Sequence, residues 1–338
     1  MKSRLIVTLA ALLAAPLGAQ DLNGAGASFP APIYNKWLTD YAAKTGVKVN
    51  YQAIGSGGGV RQLIDQTVDF GASDAPMTDA ELKSAKGGAV LHIPTVLGAV
   101  VITYNLPELK QPLNLTGDVI ADIFLGKINK WNDARIAALN KGMALPAKDI
   151  LVVHRADGSG TTFIFSDYLS AVSTAWKTAP GKGKDLQWPV GLGANQNAGV
   201  AGTIKETPGS IGYVELAFAR QNKLPVASVK NHAGNFVAPS IETVTNAAAG
   251  VAKGLPANTD YRVSIVNAPG AQAYPISSFT WILVYENQPD AAKWKKLHDF
   301  LKWALTDGEK SAASLDYAPI PNAIEKQLLT RLEKVKAK

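Results

Sequence analysis

The 338-residue chain has no cysteine. That excludes disulfide staples, thiolate metal sites, a cysteine nucleophile and a lipid-modified cysteine at a leader-cleavage site. Histidine is nearly as scarce. His92, His154, His232 and His298 are scattered, with no i,i+4 pair and no His-Glu-x-x-His, so metallopeptidase chemistry has no support. A hydrolase elbow, Gly-x-Ser-x-Gly, is also missing, because Ile54 stands where the first glycine before Ser56 would have to be. Neither glycine loop carries the lysine that a nucleotide P-loop demands, and Gly24-Ala25-Gly26 lacks the third glycine of a dinucleotide fingerprint. Charged residues make up only 18% against 47% hydrophobic, the balance of a well-packed globule and not of a disordered chain.

Long apolar runs are absent beyond the N-terminus. There, Met1-Lys2-Ser3-Arg4 precedes the run Leu5 to Ala15, which is too short to span a bilayer, followed by Pro16 and Gly18-Ala19. This pattern predicts a secretory leader over residues 1–19, cut after Ala19, and an exported soluble chain without a lipid anchor. Loss of Lys2 and Arg4 lowers the formal charge from +7 to about +5. That excess is too diffuse to argue for a nucleic-acid partner, and much of it lies in the tail at Lys326, Arg331, Lys334, Lys336 and Lys338.

What is present is a regular alternation of strands and helices over a length sufficient for two lobes, which predicts α/β architecture with parallel sheets. Its most informative stretch is Arg155-Ala156-Asp157-Gly158-Ser159-Gly160-Thr161-Thr162. The strand-like run Ile150 to Val153 precedes it, and Phe163 to Leu169 has helical spacing. A strand, a Gly/Ser loop and a helix start together present orphan N–H groups and the positive end of a helix dipole, which is an anion site. Arg155 adds a planar fork of donors suited to two oxygens; Asp157, two residues on, either steadies that fork or simply forms the turn before Gly158. Similar loops recur at Gly24 to Pro32, containing Ser28 and Phe29, and at Gly55-Ser56-Gly57-Gly58-Gly59.

One loop carries an acid. Val68 to Asp74 reads as a strand ending in Ser73-Asp74, with Thr78 as a helix cap beyond it. A carboxylate in an anion pocket is unfavourable unless the ligand has a proton to give. Phosphate near neutral pH retains one and sulfate does not, so Asp74 would accept from the first and repel the second. A helix-capping or turn role for Asp74 is the plainer alternative. A phosphomonoesterase using the same pocket, or a receptor for another tetrahedral oxyanion, also remains open at this point.

At these residues the chain resembles the periplasmic phosphate-binding proteins that feed high-affinity phosphate ABC importers. The resemblance rests on Gly24 to Pro32, Ile54 to Val60, Val68 to Pro76 and Arg155 to Thr161, and continues at Trp188 to Gly193 and Gly209 to Glu215. Two departures are visible: Ser28 where threonine is common, and Gly57 where a second serine is usual. The resemblance implies a two-lobed type II periplasmic binding protein fold, with lobe 1 at 20–100 and 275–338 and lobe 2 at 101–274. It places crossover strands near Val96 to Tyr104 and Pro275 to Thr280. It further implies phosphate contacts from Ser28, Phe29, Ser56, Asp74, Arg155, Ser159, Gly160 and Thr161, with Asp157 behind Arg155. Implied too are no cofactor and no catalysis, a periplasmic monomer, and membrane permease subunits as partners.

Overall fold

The computed structural model describes residues 21–252, 256 and 259–338; the expected leader at 1–19 lies outside them. Three short parallel strands, β1 (Leu22–Gly26), β2 (Val49–Ala53) and β3 (Phe70–Ser73), open the chain. The helix Ala31–Thr45 joins β1 to β2 and buries Ile33, Tyr34, Trp37 and Tyr41, which recur at helical spacing along one face. It stops at Gly46, whose φ of 77° lets its N–H reach the carbonyl of Ala42. The helix Ser56–Ile64 returns the chain from β2 to β3. It begins at Ser56, four residues before the start that the apolar pattern suggests. Its glycines serve close packing: a Cβ on Gly59 would lie 2.5 Å from Gly26 Cα and 2.6 Å from the Ala25 carbonyl oxygen.

A fifteen-residue strand, β4 (Val90–Tyr104), is buried along almost its whole length. The remaining strands are β5 (Asn114–Leu115), β6 (Leu151–Arg155), β7 (Leu192–Ala194), β8 (Ser210–Glu215), β9 (Ser228–Lys230), β10 (Phe236–Val237), β11 (Ser277–Tyr285), β12 (Asn287–Gln288), β13 (Ala318–Pro319) and β14 (Lys336–Ala337). The main sheet runs β2-β1-β3-β11-β4-β8-β6-β7, with β13 also on β4. Val90 to Ala99 pair antiparallel with β11, whereas Val100 to Tyr104 pair with β8. One strand therefore serves the β2-β1-β3-β11 half and the β8-β6-β7 half.

The sequence suggests two strands here, Val90 to Ile93 and Thr95 to Tyr104. The single strand absorbs the break as a bulge, since Trp281 faces Pro94 while Thr280 faces Val96. Pro94 has no N–H to offer the ladder, and the extra residue, Thr95, turns its hydroxyl to Tyr34 at 2.7 Å. The helical region expected between Thr116 and Leu139 is two helices, Gly117–Phe124 and Ala134–Leu139. Trp131 sits between them, and its indole N–H donates to the Gly209 carbonyl at 2.9 Å. The stretch from Asn231 to Asp260, where no element is evident from the pattern, contains the helix Ile241–Ala252.

Candidate anion-binding site

The first half of the sheet delivers its polar residues at the carboxyl ends of parallel strands, where α/β sheets place ligands. Ser28 and Phe29 follow β1, Ser56 opens the helix after β2, and Asp74 follows β3. Ser28, Ser56 and Asp74 are all buried. Phe29 is buried too, with its ring against Gly98 and its carbonyl accepting from Tyr317 Oη at 2.6 Å. Only its N–H is left for a ligand.

From the second half, Arg155 ends β6 and Ser159 caps the helix Gly160–Val172 by accepting from the Thr162 N–H at 3.0 Å. The first helical residues, Gly160 and Thr161, have N–H groups with no intrahelical acceptor. Arg155 is gripped at Nε (2.6 Å) and Nη2 (2.5 Å) by the two oxygens of Asp157. Nη1 donates to Thr161 Oγ1 at 3.2 Å. This bidentate grip fixes the plane of the guanidinium.

The two sets of residues meet. A Cβ on Gly160 would lie 2.4 Å from Ser56 Oγ and 2.6 Å from Asp74 Cβ, and the Gly57 N–H donates to the Gly158 carbonyl at 2.8 Å. A cavity of about 530 Å³ opens beside them, lined in part by Gly57, Arg61, Glu81, Gly158 and Lys184.

Electrostatics distinguish the two acids. Burial pushes the Asp74 carboxyl up to about 7, against the Thr280 hydrogen bond, the Arg155 charge and the Ser56 hydroxyl, which favour its ionised form. Burial also opposes ionisation of Asp157, but the Arg155 hydrogen bonds and charge outweigh it and hold that carboxyl below its ordinary range. The result is a ring of donors containing one reluctant acceptor. Such a site suits a tetrahedral oxyanion that keeps a proton. Among the described residues, no group of three or more His, Asp or Glu is arranged to hold a metal.

Two residues absent from the motif reading stand in the cluster. Thr280, on β11, donates to Asp74 Oδ1 at 2.8 Å. Asn197 is fully buried and donates to both Ser28 and Thr161. It lies in the stretch Gly191 to Gly199, which reads as a glycine-rich loop before a helix at Val200, whereas the helix is Gln196–Glu206. The pairing of Asn197 with a helix start was the available signal, obscured by Gly199 inside the first turn.

The profile of the PBP superfamily domain matches residues 14–308. The phosphate-binding protein PstS of Pasteurella multocida is 46% identical over 96% of this chain and 93% of its own length. That of Xylella fastidiosa is 47% identical over 91% and 83%. Among solved structures, the phosphate-binding protein from Stenotrophomonas maltophilia superposes with a TM-score of 0.72 at 20% identity, covering 91% of this chain and 93% of that one. That likeness shows the two-lobed fold. The profile match and the two PstS alignments, each over most of the chain, show that it belongs to the phosphate-binding protein (PstS) family of the PBP superfamily.

Proposed function

We propose that this chain binds inorganic phosphate between its lobes and delivers it to the permease of an ABC import system, acting as a receptor and not as an enzyme. The observation that carries this reading is Asp74, a buried carboxyl among the donors of Ser28, Ser56, Arg155, Gly160 and Thr161. An acid there matches the proton that phosphate retains. The eight residues Ser28, Phe29, Ser56, Asp74, Arg155, Ser159, Gly160 and Thr161 form the ligand shell, and Asp157 aligns Arg155.

In this reading residues 20–100 and 275–338 form one lobe and 101–274 the other, with the segment 259–274 lying along both. Arg262 donates to the Met77 carbonyl at 3.0 Å, and Ser264 to Asp167 at 2.7 Å. The protein works as a periplasmic monomer, exported through its leader. Among the described residues no helix is long and apolar enough to cross a membrane.

Calorimetric titration tests the reading, using protein stripped of endogenous ligand by unfolding and refolding. One-to-one phosphate binding without a sulfate response is the expected outcome. Equal binding of both anions would remove Asp74 from the site, and binding of neither would overturn the receptor assignment.

A further inference from the structure

Asn197 uses every polar group of its side chain. Its Oδ1 accepts from the Glu215 N–H at 2.8 Å, which orients the amide. Its Nδ2 then donates to Ser28 Oγ at 3.0 Å and to Thr161 Oγ1 at 3.1 Å. The Asn197 backbone N–H donates to the same Ser28 oxygen at 3.2 Å. A hydroxyl has two acceptor lone pairs and one proton. Both lone pairs of Ser28 are therefore taken by Asn197. Those of Thr161 are taken by Asn197 and by Arg155 Nη1 at 3.2 Å. Each hydroxyl is left with only its proton to offer.

We infer that Asn197 is a positioning residue that commits the Ser28 and Thr161 hydroxyls to act as donors toward the bound anion. The inference rests on the phosphate reading above and deepens it. Ser28 follows β1, whereas Asn197 and Thr161 open helices in the half built on β6 and β8. Both bonds from Asn197 to Ser28 therefore cross between the halves, and the Ser28 hydroxyl is committed only when they are together. Donor commitment and closure become one event. The division of labour follows: hydroxyls give, and Asp74 alone accepts.

Four variants test this (Asn197→Ala, Asn197→Asp, Ser28→Ala and the double variant), each titrated with inorganic phosphate after stripping. Asn197→Ala is expected to weaken phosphate binding about 10- to 100-fold, the scale of two to three hydrogen bonds in a buried network. Asn197→Asp keeps the shape and reverses the polarity, because its oxygens take the hydroxyl protons away from the ligand. It should bind more weakly than Asn197→Ala although it is the closer mimic. In a Ser28→Ala background, Asn197→Ala should cost at least about fivefold less than in the natural chain, since one of its two targets is gone. Equal cost in both backgrounds, or Asn197→Asp binding as well as the natural chain, would overturn the assignment. Thermal melts without phosphate identify a variant that fails to fold, in which case the other variant decides. If the natural chain itself binds no phosphate, the receptor reading fails first.

Discussion

Thr280 donates to Oδ1 of Asp74 at 2.8 Å, while among the described residues Oδ2 accepts only from the Ser56 hydroxyl, at 3.4 Å. One carboxylate oxygen is thus tied into β11, and the other faces Gly160 of the opposite half. Asp74→Asn replaces an acceptor with an amide that also donates. Phosphate should then bind about 10- to 100-fold more weakly, and sulfate should gain measurable affinity. Calorimetry with both anions checks this, and unchanged discrimination would exclude Asp74 as the selecting group.

The same carboxyl predicts a pH signature of the ligand-free protein. Its folded-state value, about 7, lies above the ordinary ~3.9 of an unfolded chain. Its contribution is therefore complete below about pH 4 and is lost as the pH climbs through about 7. Relative to Asp74→Asn, the natural chain should lose on the order of 2–4 kcal/mol across that window. Denaturant titrations at pH 4, 5.5 and 7.5 measure the difference. A difference that is flat, or that grows with pH, contradicts the burial argument.

Gly160 separates folding from binding. An added Cβ would strike Ser56 Oγ and Asp74 across the site. Gly160→Ala should leave the melting temperature of the ligand-free chain nearly unchanged and reduce phosphate affinity at least about 100-fold. Gly59→Ala offers the contrast: its Cβ would strike Gly26 Cα and the Ala25 carbonyl oxygen inside one half. It should cost about 1–3 kcal/mol of stability. Paired melts and titrations check both, and the expectation fails if Gly160→Ala binds normally.

Lys184 and Glu81 form an ion pair across the mouth of the cleft, with both side chains partly exposed. Glu81 also closes a capping box with Thr78, so Lys184→Ala is the cleaner probe. An exposed pair contributes about 0.2–1 kcal/mol and fades with salt. Lys184→Ala should speed phosphate release by no more than about fivefold at low salt and by almost nothing near 0.5 M. Stopped-flow release at two ionic strengths decides. A large effect that ignores salt would mean that Lys184 acts through something other than this pair.

The recurrent Gly/Ser loops placed Ser28, Ser56, Arg155 and Thr161 because their chemistry is local: each sits where a strand ends and a helix begins. Asp157 was legible for the same reason, two residues from the arginine it grips. Thr280 was not, because its partner lies 206 residues away and nothing in its own strand distinguishes it from any other buried threonine. Asn197 hid behind glycines that mimic a loop. The same glycines mask the helix start at Ser56, since glycine there answers to a neighbouring backbone and not to a turn. Pro94 suggested a strand break, yet the ladder tolerates it by bulging, which depends on the partner strand and is not visible in the residue itself.

The continuity of β4 has a mechanical consequence. Two bodies tied by slack connectors drift apart at no cost, but two bodies sharing one hydrogen-bonded ribbon separate only by twisting it. The pairing passes from β11 at Ala99 directly to β8 at Val100, with no unpaired residue between them, so any rotation of one half against the other is taken up as twist of the paired ribbon on both sides of that step. A receptor built this way behaves as a torsion spring. Its resting angle is set by the ribbon, its wound angle by the cargo, and the recoil belongs to the protein alone.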